Sequence, residues 1–233
     1  MDLNLIKNAR GPRADITEAD YKEIERLGAK LGIPVPLVHI SLSVSKDGKP
    51  GPTICLRSHT WNRNFWNHMM MIFTGAAGVA TNFGAGYISL KNTAAAVAAV
   101  NADIIQLRIA GHANNSTFGI VAGRGAGAED FEGAALTTII THGTGANQMS
   151  YAAHSANVQA YVAGTKTWTH TIKRILSNIS GAQIDVTECA LYYYNTGSSS
   201  YFMLNRDLLG AAVPVPNNQT LTIAYDITLT LPA

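Results

Sequence analysis

The chain has 233 residues, a net charge of +2 and two cysteines. Its length is enough for one large all-β domain or two small domains, with a core that needs neither metal nor disulfide bonds. Charged residues make up 14% of the sequence, well below the usual share of about 25%, and the absence of a dense basic run predicts no direct contact with nucleic acid.

The low charge also bears on protein partners. Charged residues are depleted at the centres of protein interfaces, so a surface poor in charge is typical of a protein that neighbours cover. The alternative is an ordinary protein in which Thr, Ser and Asn replace the charges. Of the two interpretations, the sequence favours assembly with other copies or other proteins.

The N-terminal residues 1–16 predict an extended arm, because Gly11 and Pro12 break any helix. The arm lacks the apolar centre of a signal peptide, and the chain has no run of about 18 apolar residues that would predict a membrane helix. We therefore expect a protein that is made in a cytoplasm and does not enter a membrane. In that compartment Cys55 and Cys189 are expected to be buried free thiols.

Two helices are predicted, and each has one apolar face. The first covers 17–31, where the apolar positions are Tyr21, Ile24, Leu27 and Leu31. Gly32 and Pro34 end this helix. The second covers 60–75, where the apolar positions are Trp61, Phe65, Met69 and Ile72.

Strands are predicted in the rest of the chain. Apolar and polar residues alternate over 38–44, and Asp47-Gly48 is a typical hairpin turn before a returning strand at 53–56. Further strands are predicted near 87–90, 105–109, 118–121 and 184–192. The alternation is unbroken over 220–231, after a loop marked by Pro214, Pro216 and two asparagines.

These elements predict a mainly β fold, a β-sandwich or jelly roll with an N-terminal arm and two accessory helices. We divide the chain into an arm at 1–16, a helix-containing N-terminal region at 17–103 and a β-sandwich domain at 104–233.

No pattern for catalysis, cofactor binding or metal binding is complete. The glycines at 123–127 lack the spacing of a dinucleotide or phosphate site and predict a flexible loop. The seven histidines show no zinc spacing, and no nucleophile elbow occurs. Glu188 lies in a mostly apolar strand, which indicates either a buried acid with a raised pKa or an ion pair with Arg174 or Arg206. We predict no catalytic residue, no metal and no cofactor.

Several segments resemble virion structural proteins of tailed bacteriophages. In the second half of the chain these are 118–123, 140–145, 150–151, 180–188, 191–192, 206–209 and 213–223. The upstream segment 58–65 is similar to one that often precedes them. The arm and the first helix lie outside the similarity. The resemblance implies a β-sandwich component of the capsid, neck or tail, located in the virion.

Two functional hypotheses follow. The first is a non-enzymatic structural protein that binds copies of itself and other virion proteins, as a symmetric oligomer or an accessory (decoration) layer, with the apolar Leu3, Leu5 and Ile6 anchoring the arm on a neighbour. The alternative is a tail receptor-binding protein that recognises or cleaves surface carbohydrate. Its candidate stacking residues are Trp61, Trp66, Trp168 and the run Tyr192-Tyr193-Tyr194.

Overall fold

The computed structural model describes residues 18–58, 60–74, 90–98, 109–196 and 198–231. The fold is mainly β, as predicted, with 51% strand, antiparallel sheets and two helices in the described part. The helices are α1 (Glu18–Leu31) and α2 (Arg63–Thr74). The strands are β1 (Pro36–Lys46), β2 (Lys49–Arg57), β3 (Leu90–Lys91), β4 (Val97–Ala98), β5 (Gly119–Gly123), β6 (Ser150–Tyr151), β7 (Val158–Val162), β8 (Thr167–Asn178), β9 (Ile184–Asn195), β10 (Ser200–Val215) and β11 (Gln219–Thr230).

The larger sheet, sheet A, has the strand order β2-β1-β11-β8-β6, and β7 also pairs with β8. Its central strand β11 confirms the prediction for 220–231. Leu221, Ile223 and Tyr225 are fully buried, which is why apolar residues occupy every second position there. The β1–β2 hairpin is also confirmed, with positive φ at Asp47 and Gly48.

The smaller sheet, sheet B, has the order β10-β9-β5. Strand β10 continues through Pro214, which pairs with Asp185 of β9. The predicted loop therefore begins too early, and the turn lies at Asn217 and Asn218 instead. An edge strand tolerates proline because one side of its backbone needs no hydrogen-bonded neighbour.

The two sheets share one apolar core. Sheet A contributes residues such as Ile40, Ile172 and Ile223, and sheet B contributes residues such as Ile120 and Tyr193. The predicted domain boundary at 103 lies outside the described residues, so the division stays a prediction. Strands from both sides of that boundary are nevertheless neighbours, because β1 is hydrogen-bonded to β11.

Helix α2 begins three residues later than predicted, and Asn62 explains the shift. Its Oδ1 accepts a hydrogen bond from the Phe65 N–H, as an N-cap side chain does. The buried Asn62 also donates from Nδ2 to the carbonyls of Gly133 and Met203. The start of α2 is therefore fixed to strand β10.

The glycine-rich segment after β5 is held in place, which corrects the prediction of a flexible loop. The Glu188 carboxylate accepts hydrogen bonds from Gly125 N–H at 2.9 Å and from Arg206 Nε at 2.6 Å. Arg206 in turn donates to the carbonyls of Gly127 and Ala128. A Cβ at Gly125 would overlap the Glu188 carboxylate. Of the two partners predicted for Glu188, Arg206 is the one it pairs with.

Arg174, the other predicted partner, is fully buried on the core side of β8. Its guanidinium donates to five backbone carbonyls, those of His112, Asn115, Phe118, Ile120 and Ala152, over 2.5–3.0 Å. It also lies 4.7 Å from the centre of the Tyr151 ring. Burial lowers its pKa to about 10, so the side chain stays charged at neutral pH and joins two loops to sheet A.

His154 lies beside this cluster, in the loop between β6 and β7. Its Nε2 accepts a hydrogen bond from Ile120 N–H at 3.0 Å, and Nδ1 lies 3.2 Å from the Gly111 carbonyl. This geometry requires the neutral ring with the proton on Nδ1. Burial lowers the pKa of His154 to about 4.

This lowered pKa predicts acid sensitivity. The unfolded chain binds a proton at His154 below about pH 6.5, whereas the folded chain resists it. Stability should therefore fall between pH 6.5 and 4, by about 2–3 kcal/mol from this group. In denaturation at several pH values, His154→Gln should flatten the slope, whereas replacing the exposed His39 by Gln should not. Equal slopes for His154→Gln and the wild type would contradict the assignment.

Candidate functional site

The apolar face of α1, predicted from its spacing, is largely open to solvent. Ile24, Leu27 and Leu31 are 48%, 40% and 53% exposed, and Ile33 just beyond the helix is 56% exposed. Such contiguous exposed apolar surface is typical of an interaction site. The helix thus presents most of its predicted apolar positions to solvent.

Contacts with β2 and with the segment after the helix position α1. Arg57 of β2 donates from Nη1 to Glu25 at 2.8 Å and lies over the Tyr21 ring at 4.5 Å. Gly28 allows the chain after the helix to approach closely, because a Cβ there would overlap the Val35 side chain. The helix is therefore held at one end of sheet A.

The helix ends in a Schellman motif, which directs the chain back towards the sheet. Ile33 N–H donates to the Gly28 carbonyl at 2.9 Å, and Gly32 N–H donates to the Ala29 carbonyl. The residues that follow, Ile33 to Leu37, then run along the helix into β1.

Between α1 and the end of sheet A lies a cavity of about 480 Å³, which we call the α1 groove. Its lining is mostly apolar and comes from four parts of the chain: Glu25, Ala29, Ile33, Val35, Leu37, Thr165, Thr230 and Leu231. The only carboxylate among them, Glu25, is paired with Arg57. The groove therefore offers apolar surface with two hydroxyl groups, a composition suited to binding apolar side chains.

The proposed anchors Leu3, Leu5 and Ile6 lie outside the described residues. The groove itself was not predicted, because residues far apart in the sequence form it. The sequence signal that could have indicated it is the run Ile33-Pro34-Val35-Pro36-Leu37, in which apolar residues alternate with prolines immediately after an amphipathic helix.

The aromatic residues considered for sugar stacking differ in exposure and form three groups. Tyr192 and Tyr193 are buried core residues, and the partly buried Trp61 packs against the core and on Phe65, with ring centres 4.3 Å apart. Tyr194 is half-buried in a stack with Tyr201. Trp66 and Trp168 are exposed.

The two cysteines differ in their exposure. Cys189 is buried, and burial raises its pKa, but Cys55 is exposed, which corrects the prediction that both are buried. Cys55 is on the outer strand β2, which explains its exposure. The described residues contain no group of three His, Cys, Asp or Glu side chains arranged to hold a metal ion.

Neither described helix is long and apolar enough to cross a membrane. Comparison with family models, curated proteins and solved structures gave no match to the chain. The resemblance to phage virion proteins therefore remains a prediction from the sequence.

Proposed function

We propose that this protein is a non-enzymatic structural component of a bacteriophage particle, a β-sandwich or jelly roll that assembles with copies of itself and with other virion proteins of the capsid, neck or tail. The observation that carries the proposal is the exposed apolar face of α1 beside the apolar α1 groove. Its support is the low charge of the whole chain, 14%, and the resemblance of segments in its second half to phage virion proteins.

The shared core supports the sandwich part of the proposal. Apolar residues of sheet A and sheet B belong to one cluster, as they do where two sheets pack face to face. The antiparallel pairing in both sheets also fits such a fold.

In assembly, the arm of one copy occupies the α1 groove of its neighbour. The arm carries Leu3, Leu5 and Ile6, which need apolar surface to bury. The groove and the neighbouring α1 face supply such surface, and the groove is not filled by the described residues. Repetition of this contact by symmetry would build a ring or a lattice.

Two variants test this contact. Deletion of residues 2–13 removes the anchors, and Ile33→Glu places a charge in the groove without touching the core, because Ile33 is exposed. The deletion removes the apolar side chains that the groove would bury, and the new charge of Ile33→Glu would have to be desolvated in an apolar contact. Each variant should therefore weaken self-association or incorporation into particles by at least about tenfold. Sedimentation velocity and particle-binding assays would measure the change.

The matched control is Ile54→Glu, which alters an exposed isoleucine of β2 that does not line the groove. This variant should assemble like the wild type. Unchanged assembly of both test variants, with correct folding by circular dichroism, would show that the arm and groove do not form the contact.

A second candidate function is recognition of surface carbohydrate. It is favoured by Trp168 and Tyr161, two exposed aromatic rings on neighbouring strands with centres 6.3 Å apart. Aromatic faces of this kind stack on sugars. Specific binding on a glycan array that Trp168→Ala abolishes would favour this function over the structural one, and binding to purified capsids or tails would favour the structural one.

A further inference from the structure

Strand β7 is an edge of sheet A, and its composition gives it no protection against other strands. It pairs with β8 on one side only, among the described residues. Natural edge strands are usually blocked by Lys, Pro or bulges. Strand β2, at the opposite edge, has such residues in Lys49, Pro50 and Pro52, whereas β7 has the uncharged, proline-free sequence VQAYV.

The surface around β7 is apolar as well as open. All five of its residues are exposed, and the large apolar side chains among them and on β8 are between 47% and 62% exposed: Val158, Tyr161, Val162 and Trp168. By register, Tyr161 lies opposite Trp168, and Val162 lies opposite Thr167. An open, uncharged, apolar edge of this kind is a site where another strand adds to the sheet.

The sequence of β7 fits a second copy of itself. In an antiparallel pair centred on Ala160, Val158 lies opposite Val162 of the other copy, Gln159 lies opposite Tyr161, and Ala160 lies opposite Ala160. Each pairing away from the centre occurs twice, as a two-fold axis requires. Pairs of β-branched residues stabilise neighbouring strands, and no like charges meet because β7 has none.

We propose that two copies of this protein join through β7, strand to strand and antiparallel about Ala160, so that their A sheets become one continuous sheet. A second copy is favoured over a different protein because β7 has no charge that would select a partner of opposite sign and because its residues match themselves in this register. The inference deepens the proposed assembly function and rests on it, but it uses a contact separate from the α1 groove.

The contact between two five-residue strands is small, roughly 17 Å long at the usual rise per residue. It falls below the size of a stable interface. We therefore expect a dissociation constant in the micromolar range for two copies in solution. In a particle the same contact would occur many times, and the repeated contacts would together hold the copies more tightly.

Disulfide crosslinking tests the register directly. In a Cys55→Ser background, Ala160→Cys places two thiols opposite each other across the two-fold axis. The Cα atoms of such a pair are about 4.5–5.5 Å apart, a separation that a disulfide spans. Val162→Cys is the matched control, because its two thiols would be four residues apart along the pair, about 13 Å. We expect mild oxidation of the full chain to give a covalent dimer for the Ala160→Cys variant and none for the Val162→Cys variant alone.

A mixture of the single variants Val158→Cys and Val162→Cys should form a covalent heterodimer, because these positions face each other. Val158→Lys, on an exposed side chain that leaves the core intact, should weaken self-association by at least about tenfold. Sedimentation equilibrium gives the dissociation constants, and circular dichroism confirms folding of each variant.

The failures of the two proposals are distinguishable. If the wild type self-associates but the Ala160→Cys and Val162→Cys variants crosslink equally, the β7 pairing is wrong and the proposed function still stands. If Val158→Lys abolishes incorporation into particles but leaves self-association unchanged, the β7 pairing is also wrong, because β7 would then bind a different virion protein. A wild type that neither self-associates nor binds particles would overturn both proposals.

Discussion

Replacement of Arg174 by Met is expected to lower the free energy of unfolding by at least about 3 kcal/mol. The substitution keeps an apolar chain of similar length but removes every donor from five backbone carbonyls, and each buried polar group that loses its partner costs about 1–3 kcal/mol. The stability of Arg174→Lys should lie between those of the wild type and Arg174→Met, because lysine keeps the charge but has only three donors. Urea denaturation followed by tryptophan fluorescence would measure the change.

The neighbouring Lys173 provides the matched control. It is on the same strand but is exposed, so Lys173→Met should change stability by no more than about 0.5 kcal/mol. A similar stability for Arg174→Met and Lys173→Met would show that the carbonyl cluster contributes little to the fold.

The second large effect is expected at the buried ion pair. Glu188→Gln leaves the Arg206 guanidinium, whose side chain is 7% exposed, without a counter-charge, and breaking such a buried pair costs about 3–5 kcal/mol. Arg206→Gln should be destabilising for the same reason. The double variant should lose less stability than the two single variants lose in total, because it leaves no unpaired charge.

Glu132→Gln is the control for this prediction. Glu132 also pairs with basic side chains, Arg63 and Lys91, but it is 42% exposed, and exposed pairs contribute about 0–1 kcal/mol. Chemical denaturation of all four variants would test the comparison. Strict additivity of the Glu188 and Arg206 losses would argue against direct coupling across the pair.

Strands with one uninterrupted buried face were predictable from sequence, whereas others were not. In β11 the large apolar residues occupy every second position and only the small Ala224 is buried between them, so the period indicates the strand directly. In β8 the core side includes Arg174 and Asn178, two polar residues that interrupt the apolar pattern. Their burial depends on carbonyl partners from other segments, which a sequence pattern does not reveal.

Strand β10 shows a different limit. Its pairing with β9 shifts register between Met203 and Asn205 and again between Leu208 and Val213. Each shift changes which side chains face the core, so a regular period of two is lost within one continuous strand. Pro214, near the end of this strand, favours a loop by its local preference. It is accepted in β10 because β10 is an edge strand of sheet B.

The candidate assembly surface was predictable only in part. The apolar positions of α1 follow from spacing alone, but whether that face packs on its own sheet or remains open depends on where the helix is held. The Arg57–Glu25 contact and the close approach at Gly28 decide this. Both involve residues from separate elements, so the α1 groove became visible only in the folded chain.

The central position of β11 sets the order in which the protein can mature during synthesis. Strands β1 and β8 flank β11 in sheet A, and β1 ends at Lys46, so it leaves the ribosome long before Gln219 does. Until then, each of the two strands has an unpaired edge where β11 will later bind, and unpaired edges of this kind are prone to aggregate or to be bound by chaperones. The groove residues Thr230 and Leu231 also arrive last. A nascent chain would therefore lack a complete docking surface, which would delay assembly until translation has passed residue 231.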